Sequence, residues 1–173
     1  EAAIALGCGM VEFDVRSTVD GAMALLHDSR VDRTTDGTGA IWELTRSQVK
    51  ALDASAGHEG FSGARIAELD EVLDLLPVEM DLNIHVYPGP DDGASIVDAV
   101  CEQIRDRNLY RSAFIAGSEE VMALTTGRDP AVRRCLLGSQ DRSATYARLA
   151  HGMGCTNLQP LHSITTRALC DEA

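Results

Sequence analysis

From residue 81 onward the chain alternates short apolar runs with segments of helical spacing, and that rhythm constrains the fold more than any other feature. The runs are "LNIHVYP", "SAFIAG", "RRCLLGS" and "TNLQPL", separated by helical patterns at Ala94–Arg107, "SEEVMALTTG" and "TYARLAHGM". Helices of about 10–15 residues between nearly continuous apolar strands spell right-handed βαβ units around a parallel sheet buried on both faces. No G-x-G-x-x-G and no Walker loop is present, so a nucleotide-binding doubly wound sheet lacks its phosphate turn.

Upstream, "VEFDVR" alternates with period two, which is the pattern of a strand with one apolar and one polar face. Val11, Phe13 and Val15 point one way, and Glu12, Asp14 and Arg16 the other. Residues two apart on a strand are separated by about 7 Å, so the two carboxylates repel unless something positive lies beside them. Arg16 offers part of that charge, and a strand with one wet side carries such residues with no function at all. The Asp20-Gly21 dipeptide, followed by the strand-like run "AMALLHD", predicts a β-hairpin that brings His27 beside the carboxylates. "DSRVDRTTDGTG" is then a polar, glycine-rich loop, while "LTRSQVKALDA" and "AELDEVLDLLP" have helical spacing. "EAAIALGCGM" reads as a helix ending at Gly7 or Gly9, and "SITTRALCDEA" as a helix capped by Ser163 or Thr165. Neither end resembles a domain boundary, so an internal piece of a longer chain is expected.

The fold expected is α/β: a partial (β/α)8 barrel with about five parallel strands, from Met10–Arg16 to Thr156–Leu161, and a β-hairpin extension. It forms a single domain over residues 1–173, whereas a full barrel typically takes about 250 residues. Five of eight strands leave two unpaired edges, so self-association through open sheet edges is expected. A net charge of −12 argues against a nucleic-acid or anionic-membrane partner, since either requires a basic patch. No apolar run reaches the 18 or so residues of a membrane span. Five scattered cysteines without a C-x-x-C pair fit reduced thiols and a cytoplasmic protein. Trp42 is expected to pack in or beside the "TGTGAIWELT" loop, and His58, His151 and His162 read as surface or helix residues.

The ordered set E-x-D-V-R, D-G, H-D and D-R-T-T-x-G-T-G in residues 11–39, followed by "FSGARIAELDEVL" and "LNIHVY", resembles the glycerophosphodiester phosphodiesterases. These are TIM-barrel enzymes related in site design to phosphatidylinositol-specific phospholipases C. The resemblance implies metal-dependent hydrolysis of a small-molecule glycerophosphodiester to glycerol 3-phosphate and an alcohol. It makes Glu12 and Asp14 ligands of a divalent metal ion (Ca, Mg or Mn), and His27 one of two catalytic histidines. The chemistry is coherent: a divalent cation held by oxygen relieves the carboxylate repulsion, and an imidazole exchanges protons near neutral pH. Asp28 is expected to orient His27, with Asp32, Arg33 and the glycines serving the loop.

The departures are specific. The family's H-R-G and P-E-N-T elements, which supply the other histidine, a phosphate-binding arginine and a further glutamate, are absent from these residues. His85 stands where the third metal carboxylate is expected, and Tyr87 where a phosphate-contacting lysine is expected. An imidazole ligand in place of a carboxylate shifts preference from Ca²⁺ towards Mn²⁺ or Zn²⁺. The expected set is therefore Glu12, Asp14 and His85 for metal, His27 for acid–base work, and Arg16 and Tyr87 for substrate. The alternative is a non-catalytic partial barrel or degenerate paralogue that binds phosphate or metal.

Overall fold

The computed structural model describes residues 2–138, 140 and 145–172. In chain order the elements are α1 (Ala2–Ala5), β1 (Met10–Ser17), β2 (Met23–Leu25), α2 (Arg46–Ala51), α3 (Leu69–Leu75), β3 (Asp81–Val86), α4 (Gly93–Asp106), β4 (Ala113–Gly117), α5 (Glu119–Arg128), β5 (Arg133–Leu136), α6 (Tyr146–Gly152) and α7 (Arg167–Glu172). The strands form one sheet in the order β2-β1-β3-β4-β5. β1, β3, β4 and β5 are parallel, and β2 lies antiparallel to β1. The sheet is open, as a partial barrel requires.

The expected fifth parallel strand at Thr156–Leu161 is the exception. Among its residues, Asn157 alone bridges to Cys135, in the parallel sense. The cause is local: Gln159 N–H donates to the Tyr146 hydroxyl, and Pro160 has no N–H to give to a ladder. The sheet edges are consequently β2 and β5. β2 covers β1 only from Val15 to Ser17, so Met10–Phe13 has no strand partner on that side among the described residues. The final helix is also capped differently from the expectation. Thr166 Oγ1 accepts from Leu169 N–H, while Ser163 lies in a 3₁₀ turn at His162–Ile164.

Packing follows the pleat. Val15, Ile84, Val86 and Ile115 point to the helix side and are buried against Ile96, Val97 and Val100 of α4 and Val121 and Met122 of α5. The other face carries Phe114, Ala116, Cys135 and Leu137 as a small apolar cluster, flanked by the polar residues of β1 and β3. A third cluster, with Leu26, Val31, Ile41, Val49 and Ile66, anchors the long excursion between β2 and α3. No helix among the described residues is long and apolar enough to cross a membrane.

Candidate active site

Parallel pairing sets Glu12 opposite Asn83 and Asp14 opposite His85, and in a parallel ladder paired residues share a face. The register therefore brings two carboxylates and an imidazole together from adjacent strands. Their ligand atoms all lie within 4.8 Å of one another. His85 Nδ1 is 3.3 Å from Asp14 Oδ1 and 4.0 Å from Glu12 Oε1. The side chains of Asp14 and His85 are 15% and 14% exposed, against 46% for Glu12, so the cluster is most open at Glu12.

The charges are not balanced within this cluster. Burial, then the neighbouring Asp14 carboxylate, raises the Glu12 pKa above its ordinary value, and His27 partly opposes this. Burial lowers the His85 pKa despite Asp14 beside it, with Arg16 and His27 adding to the fall. The lowered pKa favours the uncharged imidazole, which offers a lone pair beside the two carboxylates. Asn83, level with Glu12 on the same face, donates from Nδ2 to Gln159 Oε1 at 3.2 Å, while its buried Oδ1 has no hydrogen-bond partner. Two carboxylate oxygens, an imidazole nitrogen and a nearby orphan carbonyl oxygen are a donor set that fits a divalent cation.

Beyond this cluster, at the C-terminal end of the same strands, Tyr87 lies against His85 with ring centroids 3.8 Å apart and planes tilted by 35°. The Arg16 guanidinium sits over the Tyr87 ring at 4.5 Å from its centroid. Arg16 also donates from Nε and Nη2 to the His27 carbonyl at 3.1 and 2.8 Å. This clamp is what delivers His27. The hairpin exists, with Gly21 at φ +83° closing its turn, but β2 spans only Met23–Leu25 and Leu26 N–H, not His27, meets the Asp14 carbonyl. His27 lies past the strand, and its ring centroid is 6.4 Å from that of Tyr87. Its side chain is 71% exposed.

His27 Nδ1 is 2.9 Å from Asp28 Oδ1. Asp28 in turn accepts from Arg33 Nε at 2.6 Å and Nη2 at 3.0 Å. Those bonds hold the Asp28 carboxyl well below the usual carboxylate range. An ionised Asp28 can accept from His27 Nδ1–H, in the tautomer that leaves the Nε2 lone pair free. Arg33, assigned to the loop by sequence, is tied into the same chain. The signal for it was the D-x-x-x-x-R spacing, which carries no pattern known to place a guanidinium on a carboxylate. Arg16, His27, Asp28 and Tyr87 also share one cavity of about 400 Å³.

The glycerophosphoryl diester phosphodiesterase family profile matches residues 1–172. The chain belongs to this family. Among curated members, a glycerophosphodiester phosphodiesterase of Caldanaerobacter subterraneus is 34% identical over 120 residues, covering 65% of this chain and 49% of the relative. One from Bacillus altitudinis is 34% identical over 128 residues, covering 68% of this chain and 51% of the relative. The chain therefore spans about half the length of these phosphodiesterases. The Agrobacterium tumefaciens glycerophosphodiester phosphodiesterase structure superposes with TM-score 0.78 at 27% identity, covering 91% of this chain and 65% of that one. An Oleispira antarctica phosphodiesterase in complex with the product sn-glycerol-3-phosphate superposes with TM-score 0.81 at 21% identity, covering 99% of this chain and 71% of that one. The latter likeness is one of fold.

Proposed function

We propose that this chain carries the metal-binding part and one acid–base group of a phosphodiesterase that converts glycerophosphodiesters to glycerol 3-phosphate and an alcohol. The observation that carries the reading is the convergence of Glu12, Asp14 and His85 ligand atoms within 4.8 Å. The product named for the Oleispira antarctica structure supports the substrate class.

Glu12, Asp14 and His85 would hold a divalent cation, which when bound polarises a phosphodiester oxygen and withdraws charge from phosphorus. The remaining roles belong to the protein. Asp28 fixes the His27 tautomer, and Nε2 exchanges a proton with the oxygen that leaves phosphorus. Arg16 supplies positive charge beside the phosphate position while bracing the His27 backbone, and Tyr87 forms the wall between Arg16 and His85. Among the described residues, His27 and His85 are the histidines that meet this cluster, and the imidazole of His85 is committed to the carboxylates. A second acid–base group is thus missing from the described site, and such help is typically worth about 10²–10⁴ in rate. Turnover by this chain alone should be weak. The same observation supports the second reading, a partial barrel that binds metal or phosphate without cleaving a diester.

Isothermal titration with Mn²⁺, Mg²⁺ and Ca²⁺ separates these claims from the outset. Mn²⁺ should bind more tightly than Ca²⁺ because His85 supplies nitrogen, and His85→Glu should improve Ca²⁺ binding. Unchanged Ca²⁺ affinity in His85→Glu removes position 85 from the ligand set. An assay for glycerol 3-phosphate release with Mn²⁺ present then tests hydrolysis itself.

A further inference from the structure

Between the β1–β2 turn, a 3₁₀ turn at Ile41–Glu43 and the loop after β3 lies a second cavity, of about 300 Å³, lined by Thr18, Val19, Trp42, Pro90, Asp91 and Asp92. None of the residues discussed for metal or proton transfer lines it. Its walls are aromatic, apolar and anionic, and no basic side chain is among them. Trp42 is the chain's single tryptophan, and its Cβ lies 3.3 Å from where a side chain on Gly89 would begin, with the Asp92 carboxylate oxygens 3.4 Å from the same point. A side chain at 89 would crowd both groups, so the glycine leaves room for Trp42 and the Asp92 carboxylate to approach there.

The anionic side is held in place. Asp92 accepts from Gly89 N–H at 2.5 Å and from the Ser17 hydroxyl, which fixes its orientation without neutralising it. Asp91 is exposed, and no hydrogen bond or ion pair of its side chain is found among the described residues. The N-terminus of α4 behind Asp92 contributes about half a positive charge, which leaves two carboxylates dominant. The Thr18 hydroxyl is already used: it donates to Asp20 Oδ1 at 2.7 Å and accepts from Ala22 N–H. An anion is repelled here, and a neutral polyol gains only hydrogen bonds to the carboxylates, which water supplies equally well. A methylated ammonium finds what it needs: an indole, apolar walls and two carboxylates.

The position relative to the metal cluster matters as much. Thr18 follows Arg16 by two residues, a step of about 7 Å along an extended chain, and Pro90 follows Tyr87 by three. Asp92 lies within electrostatic reach of the Arg16 guanidinium. Resting on the phosphodiesterase reading above, we infer that this cavity receives a cationic, quaternary-ammonium alcohol portion of the diester while its phosphate lies by Arg16. The chain thereby favours choline-type diesters over neutral or anionic ones. Cation–π contact and the two carboxylates act together, and neither requires a directional hydrogen bond.

The lone tryptophan makes occupancy visible without any turnover. Trp42 emission is titrated at constant ionic strength with choline chloride and with 3,3-dimethyl-1-butanol, its uncharged isostere. Choline should give a saturable change, and the isostere should bind about tenfold more weakly or not at all. Asp91→Asn, an exposed substitution that leaves the fold alone, should weaken choline severalfold. Equal responses to choline and the isostere, no saturable response, or an unaltered Asp91→Asn protein would overturn the assignment. Glycerophosphocholine in the presence of Mn²⁺ should perturb Trp42 at lower concentration than choline does; the reverse order rejects a substrate head group as the occupant. Release of glycerol 3-phosphate with equal KM from glycerophosphocholine and glycerophosphoglycerol sinks the cavity's role and leaves the hydrolase reading standing. Saturable choline binding with no diester cleaved does the opposite.

Discussion

Alternate residues of β1 and β3 look in opposite directions, and the two faces they build follow different rules. On the helix side Val15, Ile84 and Val86 are at most 1% exposed and meet apolar partners throughout. On the other side Glu12, Asp14, His85 and Tyr87 gather unbalanced charge, and an orphan oxygen on Asn83 lies level with them. The first face is stabilised by volume and burial. The second is tolerated because the first is strong enough to carry it, which is how a scaffold holds a site that costs stability.

The largest expected effect comes from exchanging one residue on each face. Ile84→Ala removes a fully buried side chain and should cost about 2–5 kcal/mol in urea denaturation. Asp14→Asn, one strand away on the other face, should change stability of the metal-free protein by less than about 1 kcal/mol, since it also removes a like charge beside Glu12. It should nevertheless abolish Mn²⁺ binding in calorimetry. If Asp14→Asn is as destabilising as Ile84→Ala, the division between a structural and a functional face is wrong.

The open side of the sheet gives the next effect. Among the described residues, Met10–Phe13 of β1 has no strand partner towards β2, and the far side of β5 has the single Asn157 bridge. Unpaired backbone of this kind favours pairing with a second copy. Sedimentation velocity should show mass rising with protein concentration. Met10→Lys, at a position 47% exposed, should shift the distribution towards monomer by placing a charge on that edge. A monomer at every concentration would show that the edges are closed by contacts other than strands.

How legible these features are in sequence depends on the range of the forces behind them. The βαβ rhythm is local and strongly apolar, so α4 at Gly93–Asp106 and β4 at Ala113–Gly117 fall within a residue or two of the expectation. The E-x-D alternation fixes the face of Glu12 and Asp14, and the matching parity of "LNIHVY" places His85 with them. "TNLQPL" misleads because its alternation is strand-like while Pro160 and the Tyr146 hydroxyl, 13 residues from Gln159, redirect its backbone. His27 is brought in by the Arg16 clamp on its carbonyl rather than by the hairpin ladder, and no spacing rule encodes a guanidinium–backbone contact. Trp42 and Asp91–Asp92 meet only because two loops distant in sequence flank the same strand ends.

Cysteines on the two faces offer a smaller, pH-dependent comparison. Cys101 belongs to the helix-side core and Cys135 to the inner cluster, each 1% exposed. Burial pushes the Cys101 thiol up to about 11, with the Asp129 carboxylate adding to it, and the Cys135 thiol up to about 12, with Cys155 adding to it. The folded chain therefore keeps these protons while the unfolded chain releases them near 9.0. With more protons bound in the folded state, stability falls as pH rises from 9 through 11 and 12. Cys101→Ala and Cys135→Ala should each flatten that alkaline fall. At pH 8 a disulfide reagent should label exposed Cys8 and Cys170 and spare both buried thiols. Rapid labelling of Cys135 would show that water reaches the inner face below the carboxylates.

The smallest effect tests whether the functional face has any packing of its own. Tyr87 touches His85 at 3.8 Å between centroids and carries the Arg16 guanidinium at 4.5 Å, so a single ring joins the metal cluster to the clamp on His27. Both contacts use the π-system and neither uses the hydroxyl, for which no hydrogen bond is found among the described residues. Tyr87→Phe should therefore keep the stability of the parent protein. Tyr87→Leu loses the stack and the cation–π contact and should cost about 0.5–1.5 kcal/mol beyond its change in buried area. A double-mutant cycle with His85→Ala isolates the stacking part, because the coupling vanishes if the rings are merely adjacent. In Tyr87→Leu the imidazole also loses the surface that keeps Nδ1 turned to Asp14, so Mn²⁺ affinity should fall with stability, whereas Tyr87→Phe should leave it in place. A Phe variant that loses Mn²⁺ would transfer the role from the ring to the hydroxyl, and the inner face would then depend on polar contacts alone.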